Sequence, residues 1–186
     1  MIKTKKELNL VLRKEKFLYC RNDSFSRQIV CKFCYWKDSV IWSYQRLLRI
    51  TEYHKNNKTN SPYHKIMYAI YTHKLNKLGV KLGIELWENV FDVGLKIHHP
   101  GYIVVSGMAK VGKNCQLHGN NCIGNNGVSD ECPVIGDNVE IGAGAIIIGN
   151  ITIANNIKIA AGAVVVHSFI EPGITIAGVP AKKVSK

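Results

Sequence analysis

An apolar residue returns every six positions between Pro133 and His167. The first series of these residues is Ile135, Ile141, Ile147, Ile153, Ile159 and Val165. A second series, two places earlier, is Pro133, Val139, Ala145, Ile151, Ile157 and Ala163. A period of six matches neither the 3.6-residue period of a helix nor the alternation of a half-buried strand. It is typical of a solenoid whose turns each have three short faces.

Small residues follow the large aliphatic ones, as at Gly136, Gly142, Ala154 and Ala160. They allow the backbone to bend at each corner of a coil without a Cβ clash. We therefore predict a mainly β fold, a left-handed parallel β-helix of hexapeptide repeats over residues 84–186. Counting backwards in sixes from Ile135 places His99 where the repeat asks for a wall aliphatic.

The first part of the chain has a different pattern. Apolar residues at helical spacing in residues 2–18 predict an amphipathic helix. Asp38 is a predicted N-cap, and Ser61-Pro62 predicts the start of a further helix because proline is favoured at the first helical position. We predict a small α-helical N-terminal domain over residues 1–83, ahead of the β-helix domain and its C-terminal closing segment.

The formal charge of +12 is uneven. Residues 1–82 hold 13 Lys and 5 Arg against 5 acidic residues, a net charge of +13, and residues 83–186 hold 7 Lys against 8 acidic residues. A solvated basic face explains this, and so does attraction to an anionic membrane surface or a phosphate-bearing substrate. No nucleic-acid-binding motif is present, so we predict no nucleic-acid partner.

No signal peptide or membrane span is predicted, and a cytoplasmic location with reduced cysteines is expected. Cys31 and Cys34 have the spacing of a metal or redox pair. A zinc site needs a second ligand pair, and no later CxxC or HxxxH follows. We predict a structural role for both cysteines and no metal.

Three segments resemble the serine acetyltransferase-type hexapeptide acyltransferases, and especially their sugar or polysaccharide O-acetyltransferase branch. They are Leu95–Val105 with its L-K-I-H-H-P-G-Y-I-V-V sequence, Pro133–Ala145 after an interrupting loop, and Ile176–Lys182 at the end. The resemblance implies a homotrimer, or a multiple of it, with acetyl-CoA as co-substrate in the groove between subunits.

The resemblance also implies site residues. His99 matches the catalytic histidine, and an imidazole suits a general base because its pKa lies near working pH. Glu85 and Asp92 are candidates for the carboxylate that orients it. His98 and His118 are candidates for lining the acceptor site. The candidates for binding acetyl-CoA are Ala143, Gly144, Lys158, Ala161, Gly162 and Lys182.

Two departures concern the acceptor. Glu131-Cys132 stands where serine acetyltransferases have Arg-His, and His98 replaces an acidic residue. Both favour O-acetylation of a sugar or glycan precursor, with the serine O-acetyltransferase of cysteine biosynthesis as the alternative.

A hydratase of the γ-carbonic-anhydrase type needs three converging histidines, and Ile123 stands where the local partner of His118 is expected. A catalytically silent scaffold is the remaining alternative.

Overall fold

The computed structural model describes residues 1–19 and 25–185. It divides into two compact units, Met1–Leu82 and Gly83–Lys186. The described residues in the first unit form four helices: α1 (Lys5–Tyr19), α2 (Phe25–Phe33), α3 (Lys37–Asn57) and α4 (Pro62–Leu82). Within the described residues, no helix is long and apolar enough to cross a membrane.

Side-chain caps mark two of the helix starts. Thr4 and Glu7 form a capping box at α1: the Glu7 amide donates to Thr4 Oγ1, and the Thr4 amide donates to Glu7 Oε2. Ser61 Oγ accepts the Tyr63 amide, as expected for an N-cap before Pro62. The prediction for Asp38 is wrong, because α3 already begins at Lys37 and its N-cap is Trp36, which makes no side-chain cap bond.

A buried ion triad joins α1 to α3. The Arg49 guanidinium lies 2.7 Å from Glu15 Oε1 and 2.9 Å from Glu52 Oε2, and all three side chains are at most 2% exposed. Burial alone lowers the pKa of Arg49, but the Glu52 and Glu15 carboxylates outweigh it and raise that pKa above its ordinary value. The core of this unit is therefore partly ionic.

The second unit is a parallel β-helix of short strands, with the left-handed hexapeptide-repeat fold that the sequence predicts. Its strands are β1 (Ile84–Glu85), β2 (Lys96–Ile97), β3 (Ile103–Val105), β4 (Lys110–Val111), β5 (Gln116–Leu117), β6 (Cys122–Gly124), β7 (Val134–Ile135), β8 (Glu140–Ile141), β9 (Ile146–Ile148), β10 (Thr152–Ile153), β11 (Lys158–Ile159), β12 (Val164–Val165), β13 (Thr175–Gly178) and β14 (Ala181–Ser185).

The strands form three sheets, one for each face of the coil. Sheet A has the order β1-β3-β6-β9-β12, sheet B the order β10-β7-β4, and sheet C the order β14-β13-β11-β8-β5-β2. All pairs are parallel except β13 with β14, which closes the helix antiparallel. The six-residue period arises because each coil contributes one inward aliphatic to each sheet.

The inward residues stack in rows. In sheet C the buried row is Ile97, Leu117, Ile141, Ile159 and Ile176. In sheet A a second buried row is Val105, Ile123, Ile147 and Val165. Such rows remove aliphatic surface from water, at about 25 cal/mol per Å² buried.

The backward count to His99 is wrong. Ile97 pairs with Leu117, a step of 20 residues, whereas Val105 pairs with Ile123, a step of 18. The corner after β2 therefore holds two more residues than the corner after β5. Ile97 is the buried wall residue, and His99 lies exposed on the corner. The loop between β6 and β7 adds six residues to its coil, so the register holds there as predicted.

Candidate active site

Three histidines meet at the corner between sheets C and A. His98 and His99 directly follow β2, and His118 directly follows β5 in the next coil. The backbone ladder fixes this arrangement, since the His98 amide donates to Leu117 O at 2.8 Å and the His118 amide donates to Ile141 O at 3.1 Å. We call these residues the histidine corner.

The His98 and His118 rings stack on each other. Their centroids are 4.2 Å apart and their planes differ by 7°. Each ring also bonds to a side chain one coil further along: His98 Nε2 lies 2.9 Å from Gln116 Oε1, and His118 Nε2 lies 3.0 Å from Glu140 Oε1. The two rings are therefore held in defined orientations.

The pKa of His98 is lowered from its ordinary value. Burial is the main cause, and the nearby His118, Lys96 and His99 act in the same direction. The hydrogen bond with Gln116 opposes them without outweighing them. These contacts therefore favour the neutral form of the His98 imidazole.

His99 differs from its two neighbours in having no fixed partner. Its ring makes no hydrogen bond, ion pair or ring contact with the described residues. A Cβ placed on Gly119 would lie 3.4 Å from His99 Cβ, so the two coils approach closely here. Neither Glu85, which is exposed on β1, nor Asp92, whose Oδ1 accepts the Val93 amide, bonds to His99 within the chain.

A track of small residues continues from the histidine corner along the β-helix. The position of His118 is occupied by Gly142 and then Ala160 in the next coils, and the position of Gly119 by Ala143 and then Ala161. A Cβ on Gly142 would lie only 2.5 Å from the backbone nitrogen of Ala161, so this position requires glycine.

The remaining candidates for acetyl-CoA binding border this track or lie in nearby strands. Ala143, Ala161 and Gly162 are exposed, and Gly144 is half-buried with a φ of +71°. Lys158 is exposed in β11, beside Glu140 on β8. Lys182 is exposed in β14, where it pairs with Ala177 of β13.

Glu131 lies at a different corner from the histidines. Its Oε2 accepts a hydrogen bond of 2.6 Å from Asn150 Nδ2, just beyond β9. Within one chain, the charge of Glu131 is therefore not placed against His98 or His118. Across the part of the chain that the structure describes, no cluster of three or more His, Cys, Asp or Glu side chains could hold a metal ion.

Sequence reasoning did not identify Gln116 and Glu140 as members of the site. Gln116 lies one coil beyond His98, two positions before His118, which is the residue equivalent to His98 in that coil. Glu140 lies one coil beyond His118, two positions before the equivalent residue Gly142. Coil lengths would be needed to find them, and those lengths vary between 17 and 24 residues because of the corner at His99, the loop after β6 and the closing segment.

The comparisons with known proteins point to one kind of protein. No family model matches the chain. Serine acetyltransferase 3, mitochondrial, of Arabidopsis thaliana is 42% identical over 91 residues, which are 48% of this chain and 23% of that protein. The chain thus spans about a quarter of that relative's length.

Solved structures resemble almost the whole chain. Serine acetyltransferase from Brucella abortus strain S19 in complex with coenzyme A has a TM-score of 0.70 and 26% identity, covering 98% of this chain and 69% of that one. Neisseria gonorrhoeae serine acetyltransferase in complex with serine has a TM-score of 0.67 and 26% identity, covering 97% and 70%. The chain has the serine acetyltransferase-like hexapeptide-repeat acyltransferase fold.

These comparisons support the predicted alternative acceptor better than the main one. The relatives are serine acetyltransferases, so serine O-acetylation is better supported than the sugar O-acetylation favoured by the sequence. Within one chain, Glu131 is bonded to Asn150 at another corner. The prediction that its charge bears on the acceptor stays a prediction.

Proposed function

We propose that this protein is an acetyl-CoA-dependent O-acetyltransferase and that its acceptor is serine. The observation that carries the proposal is the histidine corner at the head of a small-residue track, on a fold shared with serine acetyltransferases. The Brucella abortus relative binds coenzyme A and the Neisseria gonorrhoeae relative binds serine. Both ligands suit the chemistry of an imidazole beside an open groove.

The track fits an extended thioester co-substrate. Beyond His118 the same row carries Gly142 and Ala160, so no side chain larger than a methyl group fills the space. The neighbouring Ala143 and Ala161 are exposed. An acetyl-CoA arm lying along these two rows would reach the histidine corner with its thioester.

The transfer then needs three actions from the site. An imidazole removes the proton of the acceptor hydroxyl as its oxygen attacks the thioester carbonyl carbon. The new C–O bond forms, the C–S bond breaks, and the electron pair leaves with the coenzyme A sulfur, which takes up a proton. Holding both reactants at one corner replaces a bimolecular encounter by an oriented one. The resemblance assigns the base role to His99, and that assignment stays a prediction.

We also propose that the chain assembles as a homotrimer or a multiple of it. The outward row of sheet A is apolar: Val104, Cys122, Ile146 and Val164. The outward row of sheet C is polar: Lys96, Gln116, Glu140 and Lys158. An apolar outer face favours contact with another copy, and sedimentation of the wild type against Ile146→Lys tests this. A wild-type monomer that still transfers acetyl groups would contradict it.

The acceptor is tested by thiol release from acetyl-CoA with a panel of hydroxyl compounds. Serine should give the highest kcat/KM, with O-acetylserine formed in step with free coenzyme A. Simple glycosides and nucleotide sugars are the matched acceptors that lack an amino-acid carboxylate. A higher kcat/KM for any of them than for serine would overturn the serine assignment and keep the acetyltransferase activity.

A second variant tests the track. Ala161→Phe should raise the KM for acetyl-CoA by more than tenfold (an order-of-magnitude expectation from filling a binding groove) and leave the melting temperature unchanged, because Ala161 is exposed. Ile170→Phe, also at an exposed position, is the control. An unchanged KM in Ala161→Phe would show that acetyl-CoA lies elsewhere.

A further inference from the structure

A groove on the surface of the helical unit lies between α1 and α3, which pack against each other. Its volume is about 390 Å³, within the range of about 300–1,000 Å³ that small-molecule sites occupy. It is lined by Leu12, Arg13 and Lys16 of α1 and by Trp42 and Arg46 of α3. All five residues belong to one compact unit, so the groove is separate from the histidine corner and the track.

The helical spacing of these residues brings their side chains together. Arg13 and Lys16 are three positions apart on α1, and Trp42 and Arg46 are four positions apart on α3. Residues at such intervals lie on one face of a helix. The three cationic residues are exposed, whereas Leu12 and Trp42 are half-buried. The groove therefore combines an apolar wall with a cationic rim.

The Trp42 ring is anchored from inside the helical unit. The ring of Tyr19 lies against it, with centroids 6.2 Å apart and planes inclined at 31°. Tyr19 is itself fixed, because its hydroxyl donates a buried hydrogen bond of 2.7 Å to Gln45 Oε1. A large aromatic wall that is held in one place can receive an apolar body without first being ordered.

The rim cations have no carboxylate partner among the described residues. Arg13, Lys16 and Arg46 form no ion pair there. The described acidic residues of this unit are engaged elsewhere: Glu7 caps α1, Asp38 lies 3.8 Å from Lys37, and Glu15 and Glu52 bond to Arg49.

The buried triad below the groove does not cancel this charge. Glu15, Arg49 and Glu52 together carry one negative charge in excess, against three positive charges at the rim. The groove is therefore an electropositive site that attracts an anion.

The chemistry of the rim favours a phosphate over a carboxylate. A guanidinium presents a fixed fork of donors that matches two phosphate oxygens, and an ammonium adds a point charge. A phosphate group has enough oxygens and charge for three cations, whereas a single carboxylate would leave part of the rim without a counterion. The wall made by Leu12 and Trp42 suits an apolar group attached to that phosphate.

We infer that this groove binds a phosphate ester with a small apolar or aromatic body. The phosphate contacts Arg13, Lys16 and Arg46, and the body lies against Trp42 and Leu12. The inference goes beyond the proposed function, because it places a second ligand on the helical unit. The same chemistry occurs in a soluble phosphate ester and in the headgroup region of an anionic phospholipid, and the experiment separates these two sources.

The first arm of the test measures binding to the full-length chain by isothermal titration calorimetry. Phenyl phosphate carries both halves of the expected ligand, inorganic phosphate lacks the body, and phenol lacks the phosphate. Phenyl phosphate should bind once per chain and at least about tenfold more tightly than either partial ligand, since each of them loses one set of contacts. Equal affinities for phenyl phosphate and inorganic phosphate would overturn the inference.

Variants locate the bound ligand. Lys16→Gln and Arg46→Gln should each weaken phenyl phosphate binding by about tenfold, the effect of one lost charge-assisted hydrogen bond. Both residues are exposed, so the melting temperatures should be unchanged. Lys6→Gln is the matched control, because Lys6 is exposed on the same helix and does not line the groove. An equal loss in Lys6→Gln and Lys16→Gln would show general charge attraction and overturn the inference.

The aromatic wall has its own variant. Trp42→Leu removes the ring and keeps an apolar side chain. It should weaken phenyl phosphate binding and leave the affinity for inorganic phosphate unchanged, because the rim cations remain. A loss of both affinities together with an unchanged melting temperature would contradict the division of the groove into a wall and a rim.

The second arm measures co-sedimentation with vesicles of phosphatidylcholine alone or with added phosphatidylglycerol. Binding to the phosphatidylglycerol vesicles that Arg46→Gln reduces and Lys6→Gln leaves unchanged identifies the lipid source. Phenyl phosphate binding without vesicle binding identifies a soluble ester. Binding to neither phenyl phosphate nor phosphatidylglycerol overturns the inference. The acceptor assay decides the proposed acetyl transfer separately, so the two can fail independently.

Discussion

The helical unit and the β-helix unit obtain their stability in opposite ways. The β-helix repeats one kind of contact, in which an aliphatic residue stacks on the aliphatic residue at the equivalent position of the next coil. The helical unit depends on one-time contacts, foremost the buried Arg49 with its two carboxylates. Repetition spreads the cost of a mutation over neighbouring coils, whereas a single ionic cluster concentrates that cost at a few positions.

The largest expected effect is a loss of stability in the helical unit when Arg49 is substituted. Arg49→Met leaves Glu15 and Glu52 as unpaired carboxylates in a buried site, which costs about 3–5 kcal/mol of unfolding free energy. Urea unfolding followed by far-ultraviolet circular dichroism should show early loss of helix and little change in the β-helix transition. The charge-free triple variant R49M/E15Q/E52Q is the control and should regain part of the loss. Equal stability of Arg49→Met and wild type would contradict the ionic account.

A slightly smaller effect is expected inside the β-helix. Ile147 is fully buried between Ile123 and Val165 in sheet A. Ile147→Ala removes buried methyl groups and leaves a cavity, at a cost of about 2–5 kcal/mol. Ile148→Ala, at the adjacent outward position, should cost less. If the two variants unfold at the same urea concentration, the stacked row does not carry the stability assigned to it.

The next effect is a smaller loss of stability when Asn138, at a corner of the coil, is substituted. Asn138 has a φ of +57°, and its side chain bridges Asn114 and Asn156 of the neighbouring coils at 2.9 and 3.1 Å. Asn138→Ala should cost about 1–2 kcal/mol, because alanine tolerates the left-handed conformation less well than asparagine and the ladder bonds are lost. Asn138→Gly keeps the conformation accessible and should cost less. Thermal unfolding of both variants provides the comparison.

The smallest effect is a dependence on pH in the helical unit. His54 Nδ1 and His64 Nδ1 are 2.9 Å apart, and burial, then the nearby His64, lower the pKa of His54. A histidine whose pKa is lower in the folded state binds fewer protons there than in the unfolded state. The helical unit should therefore lose stability as pH falls below about 6.5, the ordinary histidine pKa. His54→Gln should flatten this dependence between pH 7.5 and 5.5, and an unchanged slope would contradict the assignment.

The sequence predicts the regular part of the β-helix well because one contact repeats. Every aliphatic from Ile135 to Val165 in the first series is a buried wall residue, as its period indicates. His99 was misplaced because the corner after β2 contains two additional residues, which a count in sixes cannot detect. The bond between His118 and Glu140 was missed for a related reason, since the loop after β6 lengthens the coil that separates them.

The helical unit was less predictable. The Ser61-Pro62 start was found because a cap is a local signal. The Glu15–Arg49 bond joins residues 34 positions apart, and no local pattern marks it. Ile66 and Ile70, which share a helical apolar stripe, are 61% and 41% exposed. Amphipathic spacing therefore does not decide which stripe of α4 is covered.

The most direct measurement of the central claim is hydrogen exchange of the full-length chain with and without coenzyme A. The account predicts added protection in the β-helix at the histidine corner and along the track, over residues 117–120, 142–145 and 160–163. It predicts unchanged exchange in α1, α3 and α4. Protection confined to the helical unit, or none at saturating coenzyme A, would contradict the placement of the active site on the β-helix.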